Sequence, residues 1–339
     1  MKRTLALLLV LSILLCGCAY AQPQSQTQYT ATFLTLFDTI TTMVGHAESE
    51  DVFKQRAQTI HDELMVYHQL FDIYNDYEGL NNIKTINDRA GIEPVVVDRA
   101  IIQLLSDCAD YYALTDGKVN VAMGSVLRLW HEARTEGVQD PENAQLPDAS
   151  KLEEAARHCS FDSVVIDPAA STVFLTDPEA ALDVGAVAKG WAAQRVAENA
   201  PRGMLISVGG NVCATGPKLG ENPWVIGVQN PDGGDSLHTI YVTQGAVVTS
   251  GDYQRAYTVD GKRYHHIIDP ETRMPSEYFR SVTVVCRDSA LADALSTALF
   301  LLPLEEGRKL AEKCGADVLW VDRSGKEYMT QGFQSILRT

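Results

Sequence analysis

The segment SALADALSTALFLL, from Ser289 to Leu302, constrains the fold of this chain more than any other. It is apolar on nearly every side, so we expect a helix that is buried all round. One carboxylate, that of Asp293, lies inside this helix. A buried carboxylate needs a partner, or it takes up a proton. The segment therefore predicts a helix at the centre of the protein with a polar site on it.

Apolar periodicity and turn signals divide the rest of the chain into blocks of helices and blocks of strands. Helices are predicted over 49–71, 98–114, from about 150, 186–199 and 289–302. Strands are predicted over 31–45, 163–167, 172–176, 204–208, 223–229, 238–249, 253–259, 263–268 and 281–287. Asp260-Gly261 lies between two of these and predicts a two-residue hairpin turn. Helices and antiparallel strands in blocks indicate an α+β fold.

Composition excludes several classes of protein. With 28 Lys and Arg against 44 Asp and Glu, the net charge of -16 argues against a nucleic-acid binder. Apolar residues make up 45% and charged residues 21%, which are ordinary globular values and exclude disorder or a coiled coil. The length of 339 residues allows one large domain or two ordinary ones, and we predict one compact unit with two lobes.

The first residues resemble an export signal. Lys2 and Arg3 precede an apolar run from Leu5 to Leu15, which is too short for a spanning helix. Leu15-Cys16-Gly17-Cys18 resembles the bacterial lipobox, which implies cleavage before Cys18 and lipid on its sulfur. An ordinary signal peptide cut near Ala19 or Ala21 is the alternative.

The lipobox interpretation divides the N-terminal region in two. Residues 1–17 would be the signal peptide, and residues 18–30, which carry no charge, would be a flexible tether. The lipid would anchor the exported protein to the bacterial cell membrane, outside the cytoplasm. The remaining cysteines are too scattered for a CxxC metal site, and we expect them to be small buried hydrophobes: Cys108, Cys159, Cys213, Cys286 and Cys314.

The segment DVGAVAKG begins at Asp183 and contains a turn that could bind phosphate. A short strand is predicted to reach Asp183, Gly185 opens the turn, and a helix begins near Ala186. Backbone N–H groups at the start of a helix favour an anion, and Lys189 adds a full charge. The alternative is an Asp N-cap with a solvated lysine.

Two further segments are candidates on weaker grounds. Gly209-Gly210-Asn211 follows an apolar strand, and the glycines either allow close approach of a ligand or only form a turn. His265 and His266 precede Ile-Ile-Asp-Pro, and strand alternation would direct them to opposite faces. One of them could face a site, or it could be a hydrogen-bonded core histidine.

Asp293 and Thr297 lie one helical turn apart in the central helix. Their two side-chain oxygens form a pair suited to Mg²⁺. Alternatively, Asp293 would bond to Ser289, Ser296 or nearby backbone, and Thr297 to its own helix.

Taken together in order, these segments resemble the ApbE-type FAD:protein FMN transferases. The matching motifs are DVGAVAKG (183–190), GGN (209–211), WVIGVQNP (224–231), TSGDY (249–253), YHHIIDP (264–270) and ADALSTA (292–298). The resemblance implies a mixed α/β, T-fold-like structure with FAD between lobes, and it makes residues 31–339 the flavin transferase domain.

The resemblance also implies an activity. The enzyme would split FAD with Mg²⁺, attach FMN through a phosphoester to a Thr or Ser hydroxyl of a partner flavoprotein, and release AMP. The partner would be a subunit of a membrane redox complex. Two alternatives remain: an FAD pyrophosphatase that gives FMN and AMP, and a non-catalytic, lipid-anchored flavin-binding protein.

Residue roles follow from the same motifs. The resemblance implies that the Ala186 carbonyl, Asp293 and Thr297 bind the metal and that His266 is the catalytic base. The implied FAD contacts are Phe37, Tyr74, Asn120, Val121, Ala122, Asp183, Lys189, His266 and Ile267.

Two positions depart from the family pattern. Phe37-Asp38-Thr39 replaces the usual Met-Gly-Thr, and Arg273 replaces the usual Gly after DPxT. We expect the change at 37–39 to alter the part of the site that contacts the flavin. We expect Arg273 to alter its turn or to add a cation near the entrance of the site.

Overall fold

The computed structural model describes residues 26–338. Cys18, the signal peptide and most of the predicted tether lie outside this range, and those predictions stay untested. Within the range, none of the helices is both long enough and apolar enough to span a bilayer. The five cysteines in it are all free, and Cys108 and Cys213 are buried as predicted, whereas Cys159, Cys286 and Cys314 are only partly buried.

The described chain contains nine α-helices and fifteen strands. The helices are α1 (Glu50–Phe71), α2 (Ile83–Asp88), α3 (Arg99–Leu114), α4 (Gly124–Gln139), α5 (Ala149–Ala156), α6 (Ala188–Asn199), α7 (Ser289–Leu301), α8 (Leu304–Cys314) and α9 (Gln331–Ser335). The strands are β1 (Thr27–Leu36), β2 (Thr39–Ala47), β3 (Val95–Val96), β4 (Val164–Asp167), β5 (Thr172–Leu175), β6 (Met204–Val208), β7 (Asn211–Ala214), β8 (Trp224–Val228), β9 (His238–Val242), β10 (Gly245–Gly251), β11 (Tyr257–Val259), β12 (Lys262–Tyr264), β13 (Phe279–Cys286), β14 (Asp317–Asp322) and β15 (Glu327–Met329).

An antiparallel sheet of eight strands forms the framework, in the order β1-β2-β6-β7-β10-β13-β14-β15. Helix α7 packs across β10 and β13 and against α6 and α8. Eleven of its thirteen residues are buried, because an all-round apolar helix is stable only when every side is covered. The predicted α+β class and the central helix are confirmed.

A smaller group of elements lies beside this framework. Helices α4 and α5 pack with the β11–β12 hairpin around a separate apolar cluster: Met123, Val126, Trp130, Leu152, Tyr257 and Ile268. Asp260 and Gly261 form the hairpin turn at φ +49° and +77°, as their sequence predicts. The two remaining small sheets are β3-β5-β4 and β8-β9.

The structure corrects the prediction of one strand over 31–45. The region is a hairpin of β1 and β2 that turns at Phe37 and Asp38, whose φ angles are +52° and +51°. The turn has no glycine, so an alternating pattern runs through it without a visible break. Because β1 begins at Thr27, residues 27–30 belong to the sheet and not to the tether.

Other boundaries also differ. The predicted strand 238–249 is two strands, β9 and β10, with a break before Gly245. The predicted strand 263–268 ends at Tyr264. Before Asp183 there is only an isolated bridge between Met123 and Ala181, not a strand. The predictions omitted α4, whose buried Val126 and Trp130 stand at helical spacing, and everything after α7.

Candidate active site

A cavity of about 370 Å³ opens between the two groups of elements. Its wall is built from the start of α6, one face of α7, one face of α4, and the loops that follow β10 and β12. Nine of the predicted site residues line it: Tyr74, Asn120, Asp183, Ala186, Lys189, His266, Ile267, Asp293 and Thr297. The tertiary structure thus brings the separate motifs to one place.

Three predicted FAD contacts are not on this wall. Phe37 packs its ring 5.6 Å from that of His68, and its N–H donates to His68 Nδ1 at 3.2 Å. Val121 and Ala122 are 2% and 1% exposed and belong to the core. The Val121 carbonyl instead accepts a hydrogen bond of 2.8 Å from the Asp183 N–H, so it holds Asp183 in place.

Asp293 has a backbone partner on a neighbouring helix. Its side chain is buried, and its Oδ2 accepts from the Gly190 N–H at 2.7 Å. Of the predicted alternatives, a bond to nearby backbone describes this contact, and bonds to Ser289 or Ser296 do not. Burial raises the pKa of Asp293, and Lys189 acts against this shift.

The Ala186 carbonyl stands just before α6. This helix begins at Ala188, so the Gly190 N–H is one of the amide donors in its first turn that have no acceptor within the helix. Asp293 accepts from this N–H, and the first bond of α6 runs from Trp191 N to the Val187 carbonyl at 2.9 Å. The Ala186 carbonyl therefore accepts none of the hydrogen bonds of the helix.

Ala186, Asp293 and Thr297 all line the cavity. One carboxylate, one hydroxyl and one carbonyl form an oxygen set that fits Mg²⁺ with further ligands from a substrate. Over residues 26–338 there is no cluster of three His, Cys, Asp or Glu side chains suited to a metal. A cation here would rely on this oxygen set.

The glycine pair before Asn211 forms the turn between β6 and β7. Gly209 and Gly210 have φ angles of +59° and +92°, and a Cβ on Gly209 would lie 2.8 Å from the Thr39 side chain. Asn211 is 3% exposed and lines the cavity, and its side chain acts on Asp293, lowering the pKa of that carboxyl against the effect of burial. Its Nδ2 forms no well-aligned hydrogen bond in residues 26–338, so a ligand acceptor in the cavity would stabilise it.

The two neighbouring histidines have different environments. His265 is buried, donates from Nε2 to the Ser276 carbonyl at 2.8 Å, and accepts at Nδ1 from the Ile267 N–H at 3.2 Å. Both of its nitrogens are occupied, so it is a structural residue, although it also contributes to the wall. Because β12 ends at Tyr264, strand alternation does not explain the difference.

His266 keeps one nitrogen available. Its Nδ1–H donates to the Gln254 carbonyl at 3.2 Å, which leaves the lone pair on Nε2. Burial lowers the pKa of His266 to about 3, and the charge of Arg255 contributes next. The ring is therefore neutral at pH 7.

The cavity also has cations that the sequence interpretation omitted. Arg134 and Arg255 line it together with Lys189. Lys189 Nζ donates to the Gly185 carbonyl at 3.2 Å, so it reaches back over the turn. Lys118 lines the wall too, but it forms ion pairs with Asp269 and Glu271. The position of Arg134 four residues after the buried Trp130 was a usable helical signal.

Both departures from the family pattern fall at left-handed backbone positions. Asp38 and Arg273 have φ angles of +51° and +60°, where glycine is the favoured residue. Asp38 lines the cavity, so this part of the wall is acidic. Arg273 adopts the left-handed conformation of the turn, and its carbonyl accepts a hydrogen bond from Trp130 Nε1 at 2.9 Å. Its side chain does not line the cavity.

Comparison with known proteins agrees with this geometry. The ApbE family matches residues 27–320. An FAD:protein FMN transferase of Treponema pallidum (strain Nichols) is 34% identical over 260 residues, 70% of each chain. One from Klebsiella pneumoniae (strain 342) is 32% identical over 279 residues, which is 78% of this chain and 84% of that one.

Solved structures show the same similarity. The crystal structure of the ApbE protein from Thermotoga maritima superposes with a TM-score of 0.82 at 32% identity, and covers 92% of this chain and 100% of that one. The flavin transferase ApbE from Vibrio cholerae has a TM-score of 0.77 at 24% identity, with the same coverage. With its motifs gathered around one cavity and its fold shared with these proteins, the chain belongs to the ApbE family.

Proposed function

We propose that this protein is a Mg²⁺-dependent FAD:protein FMN transferase. It splits FAD, attaches FMN through a phosphoester to a Thr or Ser hydroxyl of a partner flavoprotein, and releases AMP. The observation that carries the proposal is the meeting of an oxygen ligand set, a lysine and a neutral histidine on one cavity wall. These are the groups that phosphoryl transfer needs, since it depends on charge neutralisation and alignment.

His266 would accept the proton of the attacking hydroxyl at Nε2. The hydroxyl oxygen then bonds to the phosphorus on the FMN side, and the bond from that phosphorus to the bridging oxygen breaks. The bridging oxygen leaves with AMP. In the free protein, burial and then Arg255 hold the pKa of His266 at about 3. An anionic pyrophosphate would offset the nearby cationic charge and raise this pKa, making His266 a better base.

Other residues would position the dinucleotide. Asp293, Thr297 and the Ala186 carbonyl would hold Mg²⁺, which supplies neutralising charge on the pyrophosphate when bound. Lys189 lies on the same wall and adds a fixed positive charge. Asn211 offers its Nδ2 to a phosphate oxygen or to a carboxylate beside it.

We also propose where the protein works. The lipobox-like segment before Cys18 would place an exported protein on the outer side of the bacterial cell membrane, held by lipid on that cysteine. Its partner would then be an exported flavoprotein or the exposed part of a membrane redox complex. The net charge of -16 also argues against a nucleic-acid partner.

One incubation separates the proposal from its rivals. The domain of residues 26–338 is mixed with FAD, Mg²⁺ and a partner fragment that carries an acceptor Thr. The products are then separated by size and charge. Flavin bound covalently to the fragment, with one AMP for each flavin, supports the transferase. Free FMN with AMP would indicate a pyrophosphatase, and unchanged FAD a binding protein.

Two variants connect the activity to the site. Asp293→Ala should abolish Mg²⁺-dependent transfer, because it removes the carboxylate of the oxygen set. His266→Asn should lower transfer by ~10²–10⁴ with little effect on FAD affinity, because it removes the base and keeps a polar side chain. His265→Asn is not a neutral control, since it would break two buried hydrogen bonds. Near-normal transfer by Asp293→Ala would refute the metal assignment.

A further inference from the structure

Two arginines from elements other than α6 and α7 line the cavity. Arg134 lies on α4, and Arg255 lies in the loop between β10 and β11. Neither guanidinium forms an ion pair with a carboxylate anywhere in residues 26–338. In a chain with net charge -16, two arginines without an acidic partner at one cavity require an explanation.

Arg134 is held in position by a neutral histidine. One of its terminal nitrogens donates to His131 Nδ1 at 2.8 Å, and the His131 ring lies 5.2 Å from the ring of Tyr74. Burial, and then the charge of Arg134, lower the pKa of His131, which favours the neutral ring that can accept this bond. The arrangement fixes the direction of the guanidinium and leaves its other N–H groups for a ligand.

The positive charges of the two guanidinium groups also act on each other at this cavity. Burial lowers the pKa of Arg134, and the nearby charge of Arg255 lowers it further. Asp183 lines the same cavity, but its Oδ1 accepts from the Gly185 N–H at 2.8 Å and it pairs with neither arginine. Two like charges at one cavity are unfavourable until an anion comes between them.

Arg255 has a backbone conformation that its residue type disfavours. Its φ angle is +44°, in the left-handed region that glycine prefers. Such strain persists where the surroundings require it, and it is concentrated at binding and catalytic sites. Here it brings an exposed arginine to the cavity mouth.

We propose that Arg134 and Arg255 form a clamp for the pyrophosphate of FAD together with Lys189. This proposal rests on the proposed function. It goes further because it names the residues that select a flavin with a pyrophosphate over one without it. Lys189 and the oxygen set belong to α6 and α7, while the arginines belong to α4 and the β10–β11 loop. A doubly charged pyrophosphate in the cavity would contact cations from both groups of elements and pull these groups together.

The test compares flavins with and without a pyrophosphate. FAD and riboflavin are titrated into the described domain by fluorescence, for wild type and for Arg134→Gln, Arg255→Gln and Arg128→Gln. Arg128 is a matched control because it lies on the same helix, is exposed and does not line the cavity. We expect each cavity variant to weaken FAD binding by about 10–100-fold, the range for a hydrogen bond to a charged group. Riboflavin binding, and FAD binding by the Arg128 variant, should stay within about twofold of wild type.

A glycine variant separates binding from folding. Arg255→Gly removes the side chain and also relieves the left-handed strain, so its resistance to urea should stay equal or increase while its FAD affinity falls. Wild-type FAD affinity in Arg134→Gln and Arg255→Gln would overturn the clamp, as would a parallel loss of riboflavin binding. Transferase activity is measured separately. If the arginine variants bind FAD more weakly but the wild-type protein transfers no flavin, the proposed function is refuted and the clamp is retained.

Discussion

Substitution of Gly190 by Ala tests the contact between α6 and α7 on which the site depends. A Cβ at this position would lie 2.4 Å from Asp293 Cβ and 2.4 Å from the Ser289 carbonyl oxygen. Neither atom is the far end of a flexible side chain, so the two helices would have to move apart. The Gly190 N–H also donates to Asp293, and that bond would lengthen with the separation.

The expected magnitude follows from three contributions. Overpacking of a buried contact costs ~1–3 kcal/mol. Loss of a hydrogen bond to a carboxylate costs about 1.5–3 kcal/mol. The higher helix propensity of Ala offsets this loss of stability by at most about 1 kcal/mol. We therefore expect Gly190→Ala to lower the free energy of unfolding by about 1.5–6 kcal/mol, and to impair transfer because Asp293 is displaced.

Gly307→Ala is the matched control. Gly307 is also a buried helical glycine, but its Cβ would lie 3.5 Å from Leu299 Cδ2 and 3.6 Å from the Trp320 ring, which are ordinary contacts. This variant should be as stable as wild type, or up to about 1 kcal/mol more stable. Urea unfolding and a flavin-transfer assay are run on both. Equal unfolding midpoints for Gly190→Ala and wild type, with full activity, would refute the packing argument.

Three further predictions concern the turn, the base and the anchor. Arg273→Gly should raise the free energy of unfolding by about 1 kcal/mol in urea, because relief of left-handed strain exceeds the added freedom of the unfolded chain; a less stable variant would contradict this. The folded-state pKa of His266, about 3, lies below the unfolded value of about 6.5, so its contribution to stability is complete above pH 6.5 and is lost as the pH falls towards 3. His266→Asn should therefore flatten the loss of stability between pH 7 and pH 5, and an unchanged slope would refute the assignment. Cys18→Ser should remove the full-length protein from the membrane fraction or block its processing, and membrane retention of a processed variant would exclude the lipid anchor.

The position of the candidate site could be predicted only in part. Asp293, Thr297 and Lys189 stand in motifs whose order and spacing resemble the family, and the structure brings them to one cavity. Phe37 could not be placed, because the hairpin turn that directs it towards His68 has no glycine to mark it. Arg134 and Arg255 were omitted because neither stands in one of the family motifs, and the tertiary structure alone brings both to one cavity.

The sequence by itself determined the parts of this protein that depend on local pattern. An all-round apolar helix over 289–302 must be buried, and Asp260-Gly261 must turn a hairpin, whatever surrounds them. The tertiary structure alone decided which groups face each other. Gly190 and Asp293 are 103 residues apart, and their hydrogen bond joins α6 to α7. Such a contact is fixed by how two helices cross, and neither segment carries that information alone.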